Sequence, residues 1–315
     1  MAASISCPEP FDLTPTDPGW PSALAELSTP PTSLRVHGTI PPWQRAVCIV
    51  GTRHADPEGL RFAQGLARDL ADAGCVIVSG GAMGIDAAAH AGALAAGAPT
   101  VAVLASGISP AYPRPHRDLF ARIAAAGLLL SEQPDGTPVH GYLFLRRNRL
   151  VAALSRVTIV VQAPERSGAL STARHAVELG RPVLSVPAAP WDLRGRGSLM
   201  LLRAGAAPCL DAGDVLRAMS DAPPNSVTGS SQTRPTPSLV LPPKPKSRAK
   251  ATLVDAELDA DAQLVLAALG STPRSADSLS RDLDLPAARI SRALFSLMLA
   301  GYADERFGSY VALRL

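Results

Sequence analysis

The chain has 315 residues, more than one average domain needs, and fits a large domain followed by a small one. Nearly half of it is apolar (47%) but only 4% is aromatic, so a sizeable core must be built from Ala, Val, Leu and Ile. A net charge of +3 is too small to signal nucleic acid by itself, so any basic footprint must be local. The four cysteines (Cys7, Cys48, Cys75, Cys209) form no C-x-x-C pair, and Cys48 and Cys75 lie in apolar runs where thiols pack as small hydrophobes. Neither a zinc site nor a disulfide framework is expected. No run reaches about 18 apolar residues, and the N-terminus lacks a basic stretch leading into an apolar one. The expectations are therefore no membrane partner and a cytoplasmic address.

Residues 1–45, rich in Pro, Ser and Thr, are expected to be an irregular N-terminal segment. From 46 onward, β-branched runs predict strands at 46–52 (AVCIVGT), 75–80 (CVIVSG), 100–106 (TVAVLAS), 128–132 (LLLSE), 156–163 (RVTIVVQA) and 182–188 (PVLSVPA). Stretches at 57–73, 84–97, 115–126, 147–154 and 168–179 predict the intervening helices. In the first, Leu60, Ala63, Ala67, Leu70 and Ala71 share one face, with Leu66 on its flank. Near-continuous apolar strands separated by helices define an α/β fold over 46–220. It is an extended Rossmann-like, doubly wound, mostly parallel sheet covered on both faces.

Residues 221–260 turn to Pro, Ser, Thr and Lys with no hydrophobic period, a linker stiffened by Pro242, Pro243 and Pro245. Its basic patch (Lys244, Lys246, Arg248, Lys250) suits a phosphate backbone, although keeping the linker solvated is the plainer reading. Over 261–315 a compact pattern returns. Val265, Leu266 and Leu269 mark one helix, and Leu279 and Leu283 a second. Pro286 opens a third that buries Ile290, Leu294 and Leu297, and a turn at Phe307-Gly308 joins two strands. Three helices and a hairpin describe a small C-terminal winged-helix domain. Such modules place helix three in the DNA major groove, but here Arg289 and Arg292 are offset by Asp282, Asp284, Asp304 and Glu305. Docking to a protein is an equal reading.

Three turns fall at the carboxyl ends of predicted strands, where open α/β sheets bind ligands. In Gly51-Thr52-Arg53 a glycine lets backbone approach a ligand beside an arginine that can fork onto a phosphate. Ser79-Gly80-Gly81-Ala82-Met83-Gly84 runs into a helix whose N-terminal N–H groups suit an anion. Ser167-Gly168-Ala169-Leu170-Ser171-Thr172 repeats the device, with Ser167, Gly168 and Thr172 as candidates. None is a P-loop, since no G-K-[ST] follows, and G-T-R-H is not a dinucleotide fingerprint. Asp86 and His90, four apart on one helix, imitate an acid/base or metal pair, but neither a third ligand nor a nucleophile accompanies them. Structural hydrogen bonding is the plainer role, and no cofactor, metal or catalytic group is expected.

The sharpest local feature is Phe144-Leu145-Arg146-Arg147-Asn148-Arg149, placed ahead of a helix at Leu150. Three arginines and Asn148 around one aromatic offer charge for phosphates and a ring for a base, the means by which single strands are held. Positive charge at a helix N-terminus also opposes the macrodipole, so an anionic ligand is the simplest justification.

Together these residues resemble the DNA-processing protein A family (DprA, also called Smf). The family's V-G-[ST]-R turn corresponds to Val50–Arg53, and its S-G-x-A-x-G-I-D-x-x-A-H element to Ser79–His90. Gly107 through Tyr112-Pro113, Leu130-Ser131-Glu132, Phe144 with Arg147-Asn148-Arg149, Ser167–Ala173 and Gly180-Arg181-Pro182-Val183 follow in order. The likeness covers roughly 20–220, and 261–315 matches the family's C-terminal module. The resemblance implies a Rossmann-like domain that binds single-stranded DNA without catalysis. It also implies a role in natural transformation, protecting incoming DNA and loading the RecA recombinase, usually as a homodimer. The DNA site would map to Arg53, the glycine turns, Phe144 and Arg147–Arg149.

Three departures stand out. Gln162 replaces the usual acid of V-V-E-A, and Ala188 the usual glycine of V-P-G. Only the Pro21–Gly38 segment precedes the sheet, so the helical N-terminal domain of many members is expected to be absent. The main alternative is a nucleotide-binding or nucleotide-hydrolysing enzyme of the phosphoribohydrolase-like type. That chemistry needs P-G-G-x-G-T-x-x-E, whereas this chain reads S-G-A-L-S-T-A-R-H, with His175 in place of the acid.

Overall fold

The computed structural model describes residues 5–221, 260–269, 274–300, 303–306 and 309–312. The chain forms two compact units, Met1–Pro242 and Pro243–Leu315. The first begins with β1 (Ile5–Leu13) and β2 (Leu34–Ile40). It continues through β3 (Ala46–Val50), α1 (Pro57–Asp72), β4 (Val76–Ser79), α2 (Ile85–Ala95), β5 (Thr100–Leu104), α3 (Arg117–Ala126) and β6 (Leu128–Ser131). Then come α4 (Gly141–Leu154), β7 (Val157–Val160), α5 (Gly168–Glu178), β8 (Val183–Ser185), α6 (Arg196–Arg203), β9 (Ala207–Pro208) and α7 (Ala212–Asp221).

One nine-stranded sheet runs in the order β1-β2-β6-β5-β4-β3-β7-β8-β9. Strands β3 to β9 pair in parallel, while β2 is antiparallel to both β6 and β1. From β3 the chain winds out through β4 and β5 to β6, then returns to the other side of β3 with β7. The β3/β7 boundary is therefore the topological switch point, where such sheets open a crevice.

The continuous apolar runs follow from coverage on both faces. Ala46, Cys48 and Val50 of β3 pack with Leu150 and Val151 of α4 and Ala169 and Ala173 of α5. Val47 and Ile49 point the other way, against α1 and α2. Pro57 opens α1, and Asp56 caps it by accepting from Gly59 N at 2.7 Å. Its buried face is Ala63, Leu66, Ala67, Leu70 and Ala71. Leu66, expected on the flank, is fully part of it, and Leu60 is only half-buried. Small residues let α1 and α2 approach closely: a Cβ on Gly92 would lie 2.1 Å from Gln64 O.

The N-terminal segment is not irregular. Leu34, Val36, Gly38 and Ile40 alternate buried with the half-buried Arg35, His37 and Thr39. That is the pattern of an antiparallel strand with one face on the core. The surrounding prolines masked this period of two. Among the described residues, no helix is long and apolar enough to cross a membrane.

The second unit holds α8 (Ala260–Ala268), α9 (Ala276–Leu283), α10 (Ala287–Ala300) and an antiparallel hairpin of β10 (Ala303–Arg306) and β11 (Ser309–Ala312). Arg274 and Tyr310 exchange backbone hydrogen bonds at 2.9 and 2.7 Å, so a third short segment joins the hairpin. Val265, Leu269, Leu279, Ile290, Leu294 and Leu297 form its core. This is a winged helix. Arg289 on α10 pairs with Asp261, and Asp282 pairs with Arg274, so these charges cancel by routes the sequence did not specify. The basic patch at 244–250 and the turn at Phe307-Gly308 lie outside the described residues.

Candidate nucleic-acid interface

A cleft of about 560 Å³ opens at the carboxyl ends of β3 and β4, with α4 across it and the N-terminus of α5 as one wall. It lies at the switch point. Gly51, Thr52 and Arg53 line it from β3, Gly80 from β4, and Ser167, Gly168 and Thr172 from α5. Phe144, Arg147 and Asn148 line it from α4. Ser79, Gly81, Gly84, Arg146 and Arg149, expected in the same site, do not.

The turn after β3 is glycine because it is crowded. A Cβ at Gly51 would lie 2.6 Å from Ile85 Cγ1 and 2.8 Å from Gln162 O. Thr52 N donates to Gln162 O at 2.6 Å, and Ile85 N donates to Thr52 O at 3.2 Å. Gly84 has φ +78°, and a Cβ there would meet Thr52 O at 2.4 Å. These contacts tie the ends of β3 and β7 to the start of α2 and leave Arg53 exposed above them. Its guanidinium carbon lies 4.9 Å from the centroid of the half-buried Phe144 ring, a cation–π contact.

The turn after β4 is not the open anion cradle its glycines suggest. Asp86 Oδ2 accepts from Gly80 N at 3.1 Å and Ala82 N at 3.3 Å, so the chain's own carboxylate takes the N–H groups of the turn that precedes α2. Ser79 is fully buried and donates to Ile49 O at 2.6 Å. Gly80 is glycine because Arg147 lies on it: a Cβ would be 2.0 Å from Nη1. Arg147 itself is buried and donates to Val103 O, leaving Nε without a hydrogen-bond partner. Burial pushes the Asp86 carboxyl above its ordinary value, and the neighbouring Arg147 charge and the two backbone N–H groups oppose that push.

The turn into α5 remains more open. Ser167 caps the helix, accepting from Ala169 N at 3.2 Å, and Gly168 is exposed while Thr172 is buried. Asn148 Nδ2 donates to Gly168 O at 3.1 Å, fixing α4 against this wall.

Helix α4 begins at Gly141, so the arginine run lies inside it rather than ahead of it. The macrodipole argument for an anion therefore falls away, because that effect is confined to the first turn. The helical period then divides the run. Phe144, Arg147, Asn148 and Val151 face the cleft. Arg146 and Arg149 face Glu132, whose Oε1 accepts from them at 3.2 and 2.5 Å, and Arg149 also donates to Thr29 O at 2.8 Å.

Asp86 and His90 are not a pair. Thr100 Oγ1 gives its proton to Ile77 O at 2.7 Å, so His90 Nδ1–H donates to Thr100 Oγ1 at 2.8 Å. Burial, with the His116 and Arg147 charges adding to it, pulls the imidazole down to about 3. Among the described residues, no three His, Cys, Asp or Glu side chains are grouped to hold a metal ion.

Several features were not read from the sequence. Exposed Arg166 and His54 line the cleft, and Tyr112 meets Phe144 edge-on with centroids 5.9 Å apart. Arg166 adjoins a recognised turn, and Tyr112 ends a recognised motif. Two of the three departures, Gln162 and Ala188, also have physical accounts. Gln162 Nε2 donates to Asp56 Oδ2 at 2.9 Å and Asp192 Oδ2 at 3.0 Å, a bridge between two carboxylates that uses both amide protons and that an acid, with one proton at most, could not make. Ala188 is accommodated by Gly195, where a Cβ would lie 2.1 Å from the alanine methyl.

Fold and cleft define a class: a Rossmann-like domain with a switch-point cleft of arginine, aromatic and glycine-turn residues, accompanied by a winged helix. The family described as DNA recombination-mediator protein A matches residues 12–220, and the DprA winged helix domain matches 248–308. The chain belongs to the DNA recombination-mediator protein A (DprA/Smf) family.

It is 40% identical over 223 residues to Protein Smf of Synechocystis, covering 68% of this chain and 55% of that one. It is 35% identical over 316 residues to a putative DNA processing protein DprA of Mycobacterium tuberculosis, covering 96% and 77%. The match thus spans little more than half of the first relative's length. A solved structure of DNA processing protein A from Helicobacter pylori, described for its single-stranded DNA binding mode, superposes with a TM-score of 0.60 at 32% identity. It covers 68% of this chain and 97% of that one.

Proposed function

We propose that this chain is a DNA processing protein that holds single-stranded DNA in the switch-point cleft without catalysis. In this reading it acts in the cytoplasm as a homodimer, shields strands taken up in natural transformation and passes them to the RecA recombinase. The observation that carries the binding is Arg53 lying 4.9 Å over the Phe144 ring at the cleft mouth, one charge and one aromatic face together. Unpaired bases stack on such a ring while arginine takes the adjoining phosphate, which is sequence-tolerant recognition of a single strand. The described binding mode of the Helicobacter pylori relative supports the strand, and the family's description as a recombination mediator supports the hand-off.

Gel shifts of single-stranded and duplex oligonucleotides of one length, at two salt concentrations, test the binding. The single strand is expected to bind more tightly, with log affinity falling against log salt by about 0.7 per phosphate neutralised. Equal affinity for duplex would overturn the assignment to the cleft. Nucleotide turnover lost on mutating Ser167 or Thr172 would instead favour the enzyme.

A further inference from the structure

We infer that Tyr112 is a second stacking position beside Phe144, so that the cleft mouth takes two consecutive bases splayed apart; this rests on the single-strand reading above. The two rings meet edge to face, their centroids 5.9 Å apart and their planes at 66°. Tyr112 is 42% exposed on the loop that follows β5, at the same carboxyl edge of the sheet as the cleft. Aromatics are scarce in this chain, and a large ring left in solvent against another ring is a platform that core packing does not require.

The angle carries the chemistry. Neighbouring bases in a duplex lie parallel, about 3.4 Å apart along each strand, and cannot face two rings inclined at 66° without unstacking from one another. A single strand gives up only that one contact and gains two aromatic faces in exchange. Arg53, against the Phe144 ring, is placed for the phosphate that joins the two bases. The step between the rings therefore selects single-stranded over duplex DNA at the level of base geometry, not of charge alone.

The test uses the full chain and a short single strand whose central two bases are 2-aminopurine. Their exciton circular dichroism reports whether they stack on each other. At saturation the wild-type protein and Tyr112→Phe are expected to erase that signal. Tyr112→Ala is expected to weaken binding by about 5- to 150-fold, the range that loss of one base–aromatic stack gives. Once saturated, Tyr112→Ala should leave part of the exciton signal. If Tyr112→Ala binds and erases the signal as wild type does while Phe144→Ala binds weakly, the second position is overturned and the cleft reading survives. If Phe144→Ala and Arg53→Ala also bind like wild type, the cleft reading itself fails.

Discussion

Arg147 and Arg149 are two residues apart on α4 and meet opposite environments. Arg147 is buried in the cleft floor, laid over Gly80 and donating to Val103 O, with Asp86 close enough to feel its charge. Arg149 points away, joined with Arg146 to Glu132. A basic run that looks like one patch in sequence is spread around the helix at about 100° per residue. The inner arginine organises the cleft, the outer pair ties α4 to the end of β6, and the charge available to a ligand comes from elsewhere, from Arg53 and Arg166.

The largest expected effect comes from crowding the inner side. Gly84→Ala places a Cβ 2.4 Å from Thr52 O at φ +78°, and should cost roughly 3 kcal/mol or more by strain and overpacking together. Urea unfolding measures it, and a change below the error of the midpoint would show that the turn bearing Arg53 is not fixed as described.

Buried His90 sharpens the same contrast. Its folded value of about 3 lies below the ordinary 6.5, so between those values the unfolded chain binds the extra proton. Stability should therefore fall as the pH drops from 6.5 towards 3, by about 1.4 kcal/mol per pH unit at most from this group. His90→Gln should lower stability overall but flatten this slope. An unchanged slope would mean that His90 titrates normally and is not sealed.

Phe144→Ala should weaken single-strand binding by about 1–3 kcal/mol with little change in salt dependence, because stacking releases no counterions. Isothermal titration at two salt concentrations separates the two, and a flattened salt slope would show that the ring acts through Arg53 rather than by stacking. On the outer side, Arg146→Ala should change stability by no more than about 1 kcal/mol, since its contact with Glu132 is largely exposed on the arginine's side.

The sheet was legible because strands such as AVCIV, buried on both faces, cannot be anything amphipathic, and because Gly51, Gly80 and Ser167 punctuate them at their carboxyl ends. Strands β1 and β2 were missed: the alternation in LRVHGTI is clear, but the Pro-rich composition around it suggested no regular structure. The site was legible as residue types but not as directions. Glycines mark the turns after β4 and into α5 alike, yet only the fold reveals that Asp86 fills the first while Gly168 stays exposed in the second. Placing the start of α4 at Gly141 rather than 147 rotates every judgement about which arginine reaches the cleft. Tyr112 and Phe144 lie 32 positions apart, and nothing local announces that their rings meet.

The cleft side and the outer face of α4 are compared most directly by the salt dependence of single-strand binding for Arg53→Ala, in the turn against the cleft-facing Phe144, and Arg149→Ala, measured side by side on folded protein. Arg53→Ala should weaken binding and flatten the log–log slope by about 0.7, the value for one phosphate contact, while Arg149→Ala leaves the slope at its wild-type value. Equal flattening by both, or flattening by Arg149→Ala alone, would contradict the division of the helix and place the strand on its outer face.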